Sequence, residues 1–162
     1  MNNFDWLGVG IYFWEANPTR GLEFAREAMT RNGSKIKDPY VVGAVIDLGA
    51  CLDLTTSFGV SAVCRGYESL RASFNETQKP LPQNTPDQLR RYLDCAVINR
   101  VRAIFAENKL PPFDTVRGVF TEGGPAYEGA GLSVKTHIQI AVRNPACIKG
   151  VFRVPDQHLE SL

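Results

Sequence analysis

The segment His137-Ile138-Gln139-Ile140-Ala141-Val142-Arg143 alternates without a break. Ile138, Ile140 and Val142 therefore share one strand face, and His137, Gln139, Ala141 and Arg143 share the other. An imidazole, an amide and a guanidinium mid-strand are groups that hold a polar ligand; the plainer alternative is a sheet with one solvated side. Glu122, in the glycine-rich loop "TEGGPAYEGAG", is a carboxylate that could act as an acid at a cleft mouth or stand idle on an exposed loop. Arg117 and Arg143 have the forked donors that clamp a pyrophosphate, although either alone is also an ordinary surface or ion-paired arginine. A thiol nucleophile at Cys95 with His137 as base is disfavoured, because Cys95 falls on the buried stripe of a helical pattern. The pair Gly8-x-Gly10 is not a dinucleotide-fold fingerprint, since there the glycines follow a strand and here they precede one.

These residues need a scaffold, and the chain is long enough for one. Its 162 residues, 44% hydrophobic and 22% charged, suit a single packed domain. No apolar run approaches a membrane span, and the start "MNNFDWLG" lacks the pattern of a signal peptide, so a cytoplasmic protein without a membrane partner is expected. A net charge of +1 with both signs interspersed leaves no polycation for a row of phosphates. Cys51, Cys64, Cys95 and Cys147 have no zinc-type spacing and read as free buried thiols.

The first strand is expected over Val9 to Trp14. A helix follows, with Asn17 as N-cap and Pro18 at its first position, and Asn32-Gly33 stops it. Tyr40 to Leu48 reads as a strand buried on both faces, with a short piece at Cys51 to Leu54 after it. A helix from about Ser57 to Phe74 has Thr55 or Thr56 as cap and Val60, Val63, Cys64, Tyr67, Leu70, Arg71 and Phe74 as its stripe. After a polar, proline-rich connection, Thr85 is expected to cap a helix with Pro86 at its first position and a stripe from Leu89 to Phe105. Strands return at Thr115 to Phe120, Ser133 to Val142 and Ile148 to Val154. Strands flanking a helical middle make the fold class α+β.

Two of these segments carry a family resemblance. "LGVGIYFWEANPTRGLEFA" resembles the second core motif of the poly(ADP-ribose) polymerase branch of ADP-ribosyltransferases, where a glycine pair leads into an Ile-Tyr-Phe strand and a helix of small residues. "HIQIAVRNPACIKGVF" resembles the family's last motif and places Gln139 at the catalytic glutamate position, in agreement with its place on the non-core face. Together the two look like those of small bacterial proteins carrying this fold, and they span about a quarter of the chain.

The resemblance implies a split β-sheet sandwich with a helical middle and NAD as co-substrate, bound in a cleft between two small sheets. By the same resemblance Tyr12 and Phe24 sandwich the nicotinamide, Gly10 lets backbone approach the cofactor, and Gln139 orients a ribose hydroxyl. From the residue reading, Arg117 or Arg143 is expected to meet the pyrophosphate and His137, which sits in no matching family motif, to join the binding set from the Gln139 face; Glu122 is the nominated stand-in carboxylate. The implied activity is mono-ADP-ribosyl transfer to an unidentified acceptor, protein or nucleic acid, or to water as an NAD glycohydrolase. A toxin or anti-phage role, with an antitoxin or immunity protein as partner, is the context the resemblance suggests. The family's first, histidine-bearing strand has no counterpart in the eleven residues before Tyr12, so the single domain over 1–162 is expected to be N-terminally incomplete. Glutamine cannot offset the positive charge that develops as the nicotinamide bond breaks. A degenerate fold acting as a binding or interaction module is therefore the alternative.

Overall fold

The computed structural model describes residues 2–159. It is an α+β protein whose elements run β1 (Ile11–Trp14), α1 (Pro18–Met29), β2 (Val42–Ile46), β3 (Cys51–Asp53), α2 (Ser57–Glu76), α3 (Tyr92–Glu107), β4 (Thr115–Phe120), β5 (His137–Val142) and β6 (Ile148–Arg153). One sheet has the order β1-β5-β4-β3, antiparallel except for the parallel pair β3–β4. The second sheet is the antiparallel pair β2–β6, with an irregularity between Val45 and Ile46. No described helix is long and apolar enough to cross a membrane.

The four-stranded sheet is covered on both faces, which places the core. Leu52, Val116 and Ala141 stand on one face and pack with Ile98 and Val101 of α3 and with Ala62 and Val63 of α2. Ile140 and Val142 stand on the other face and pack with Phe13, Cys147 and Ile46 and Ile148 of the small sheet. The alternation expected for β5 is therefore right in register but wrong about solvent. Ala141 is fully buried and His137 is 4% exposed, because the helices close the face that carries them.

Other expectations shift for identifiable reasons. The strand expected at Tyr40 to Leu48 is shorter and open to solvent, with Val42 59% exposed, because β2 pairs only with β6 and no layer covers its outer side. In α2, Thr56 rather than Thr55 accepts from the Gly59 N–H, and Val60 and Cys64 of the expected stripe are exposed, the buried positions being Gly59, Gly66 and Leu70. Thr85 does not cap α3. It closes a turn with Gln88 and Arg90, and α3 begins at Tyr92, where the Asn84 side chain accepts from the Leu93 and Asp94 N–H groups at 2.9 and 3.3 Å. That leaves Leu89 outside the helix and exposed. Residues 133–136 form a turn ahead of β5 rather than its first half. All four cysteines are free, and Cys64, expected to be buried, is exposed.

Asp114 ties the sheet's ends together. Its carboxylate accepts from the Asn144 amide at 2.8 Å and from the Ala50 N–H at 3.0 Å, and these bonds hold it below the usual aspartate range. Glu27 is held down likewise, first by the hydrogen bond from Lys135. A carboxylate depressed in the folded state stabilises the fold above its unfolded pKa of about 4, and the contribution disappears as pH falls through the lower folded value. The thermal midpoint is therefore expected to fall as the pH drops below about 4, and to fall less steeply in Asp114→Asn. Calorimetric scans of both proteins from pH 7 to pH 2 check this.

Candidate functional site

The pairing of β1 with β5 brings the two chemistry-bearing segments side by side. Trp14 lies opposite Gln139 and Tyr12 opposite Ala141, while on the other flank Gly118 of β4 also faces Gln139. Gln139 thus stands between an indole and a residue without a side chain.

A polar cluster is built around it. The His137 Nδ1 lies 2.7 Å from the Lys135 carbonyl, which only accepts, so Nδ1 carries the hydrogen and Nε2 is left as an acceptor. The Gln139 amide donates to that Nε2 at 2.9 Å. Its amide oxygen accepts no hydrogen bond among the described residues. Glu122, from the loop between β4 and β5, places a carboxylate oxygen 3.9 Å from His137 Nδ1 and 3.1 Å from an Arg20 nitrogen. Arg20 also reaches Glu27 at 3.4 Å, and Lys135 meets the same Glu27 oxygen at 2.8 Å.

Sequence reading brought Gln139, His137 and Glu122 forward, and the fold brings these three together. It missed Arg20. The available signal was a charged residue at an inward position of α1, where Arg20, Gly21 and Leu22 are all buried. Arg20 is 6% exposed, and its Nε has no partner among the described residues. A buried guanidinium of this kind is held in place by the carboxylates around it, and it offsets the charge of Glu122.

A cleft of about 850 Å³ opens between β1, β5 and the small sheet, closed at one end by α1. Phe13, Trp14, Phe24, Tyr40, Ile140 and Phe152 line it. Phe152 lies flat across Gly43, where a Cβ would come within 2.3 Å of the ring. Because strand residues alternate, β5 turns Ile140 into this cleft and Gln139 away from it. Trp14 is the residue common to both regions: it lines the cleft, its ring lies 6.5 Å from that of His137, and its indole N–H is buried without a protein partner.

Four expected roles do not fit this arrangement. The ring that meets Phe24 is Trp14, at 4.9 Å, and not Tyr12. Tyr12 does line the same cleft as Phe24, but it also packs against the helix-side core, where its hydroxyl accepts from the Leu7 N–H at 2.8 Å and donates to the Gly8 carbonyl at 2.7 Å, and burial pushes the phenol up. Gly10 makes room for protein rather than for a ligand, since a Cβ there would lie 3.1 Å from the Ala141 Cβ and the Val142 carbonyl. Arg117 is occupied by both oxygens of Glu15, at 2.6 and 3.1 Å, and by Asp53 at 3.1 Å. Arg143 sits with Tyr12 on the opposite face, hydrogen-bonded to the Leu7 carbonyl and Asn99, so the two arginines do not converge into a clamp. No lysine or arginine lines the cleft among the described residues.

Together, fold and site define an α+β protein with a mixed four-stranded sheet, an aromatic cleft on one face and, on the strand face turned away from it, a half-buried histidine–glutamine–carboxylate cluster in which the histidine is buried. No family model, curated protein or solved structure matches the chain.

Proposed function

We propose that this protein is an ADP-ribosyltransferase-like protein that takes NAD as co-substrate and transfers ADP-ribose to one acceptor, or to water. The observation that carries the reading is the register of β1 on β5. It sets Gln139 opposite Trp14, with His137 and Glu122 at hand and an aromatic cleft beside them. On this reading Trp14 and Phe24 offer flat surface to the nicotinamide in the cleft, and the ribose passes the β1 edge at Trp14 to the sheet face that carries Gln139, whose amide oxygen accepts from a ribose hydroxyl. The bond between the ribose C1′ and the nicotinamide nitrogen breaks with its electron pair leaving on nicotinamide. An acceptor oxygen then bonds to C1′ and gives up its proton, for which Glu122 is the nearest base. Because Arg20 offsets Glu122, little net negative charge faces the developing cation, and turnover is slow.

NAD binding is expected to be saturable but weak, on the order of 0.1–1 mM, since no cation meets the diphosphate. Trp14→Ala is expected to weaken it about tenfold through loss of ring stacking. Titration calorimetry tests both statements, and an absence of saturable binding at millimolar NAD overturns the reading. Nicotinamide release, followed by chromatography, tests the chemistry: Gln139→Ala is expected to slow it about tenfold, the worth of one well-placed hydrogen bond.

A second reading is favoured by the way the same groups are already used. The Gln139 amide is committed to His137, the Tyr12 hydroxyl to backbone, and Glu122 to Arg20. Those bonds suit a binding module that holds a ligand without turning it over. NAD binding with no nicotinamide release from the wild type selects it.

A further inference from the structure

On the helix side of the four-stranded sheet lies a second cavity, of about 460 Å³, between α2, the start of α3 and β4. The sheet separates it from the cleft discussed above. Its walls include Trp6, Val63, Tyr67, Leu93, Val97 and Phe120. The Trp6 and Phe120 rings lie 4.5 Å apart, tilted by 55°, and together give one side an aromatic wall.

The charged groups at this cavity are spoken for. The Arg91 guanidinium lies 4.0 Å from the Trp6 ring and 5.4 Å from that of Phe120; it pairs with Asp94 at 3.6 Å and donates to the Gln88 carbonyl at 3.2 Å. Glu68 is paired with Arg71. A carboxylate or ammonium entering the cavity would shed water and find no free counter-charge, whereas a neutral ring gives up little. The volume, the apolar walls and the pre-paired rim are those of a small-molecule pocket.

We propose that this cavity binds an uncharged aromatic compound of one or two fused rings. Cys64 is on its wall and is the exposed cysteine of the chain's four, so occupancy shields a thiol that can be followed chemically. The Phe120 ring also lies 6.0 Å from that of His137, which puts the occupant one residue away from the polar cluster without making it part of that cluster.

The test uses three molecules that share one ring system: neutral indole, anionic indole-3-acetate and cationic tryptamine. Each is titrated into the full chain, with the alkylation of Cys64 by iodoacetamide followed by peptide mass spectrometry. Indole at ten times its dissociation constant is expected to slow alkylation by roughly tenfold, and each charged analogue to bind about tenfold more weakly. Val63→Phe is expected to fill the cavity and abolish the protection; Leu93→Phe, nearer the mouth, serves if the first variant does not fold. Trp14→Ala is expected to leave the protection unchanged, which separates this site from the cleft. Indole that fails to protect Cys64, charged analogues that bind as tightly as indole, or protection that survives the filling variant overturns the proposal.

Discussion

Gly59→Ala is expected to destabilise the fold by about 3 kcal/mol, although helix propensity alone predicts a gain of nearly 1 kcal/mol. A Cβ at Gly59 would lie 1.9 Å from the Asp53 carbonyl oxygen and 2.6 Å from its carbon. The obstacle is backbone, and it is backbone held from several sides. Thr56 bonds to the Asp53 carbonyl through both its N–H and its hydroxyl, Leu54 donates to the Arg117 carbonyl, and the Asp53 carboxylate holds Thr55 and Arg117. Relief requires the turn between β3 and α2 to open, and opening it pulls on the parallel pair β3–β4. Urea denaturation of the two proteins measures the difference. A change smaller than about 0.5 kcal/mol, the range of ordinary surface substitutions, would mean that the turn yields and that close approach is not what fixes a glycine here.

The same position shows why part of the fold was legible in the sequence and part was not. Wherever a local hydrogen bond or a strict alternation set the structure, reading along the chain succeeded: Asn17 caps α1 and bonds the Arg20 N–H at 3.0 Å, and β5 keeps the register its alternation implied. In α2, by contrast, the tightest contacts are made by residues with no side chain. Gly59 meets Asp53, and Gly66 meets α3, where a Cβ would lie 2.5 Å from a Val101 methyl. Counting apolar side chains therefore rotated the helix, sending Val60 and Cys64 inward when they are exposed. The start of α3 was misread for a related reason. Its cap is Asn84, reaching Leu93 and Asp94 from nine and ten residues away, and no short-range template contains that distance.

The site divides along the same line. Gln139, His137 and Glu122 were visible as polar residues in places where polarity needs a reason. Arg20, which pairs with Glu122, was not, because it comes from α1, over a hundred residues away in the chain from Glu122. Trp14 was expected in the first strand but given no role; only the fold shows that its ring, and not that of Tyr12, meets Phe24.

Arg143→Met is expected to raise stability by about 2 kcal/mol. The guanidinium is half-buried at the edge of the core beside Leu7, Tyr12, Asn99 and Cys95, and no carboxylate pairs with it among the described residues. Its two hydrogen bonds are long, both 3.4 Å, and its Nε and one terminal nitrogen are buried with no partner. Burial, together with the nearby Arg102 cation, holds its pKa below the usual arginine value, as expected of a charge that the surroundings disfavour. Methionine fills a similar length with an adaptable apolar chain and removes both the charge and the orphaned donors. Against this stand the Leu7 carbonyl and the Asn99 oxygen, each losing one weak donor, at a cost of about 0.5–1 kcal/mol. The balance favours the apolar residue. Since Arg143 does not line the cleft, NAD titration of the variant should match that of the wild type. A variant that is more stable but has lost NAD binding would identify Arg143 as a cation kept for function against the interest of the fold. A variant less stable by more than 1 kcal/mol would show that the two long hydrogen bonds outweigh the buried charge.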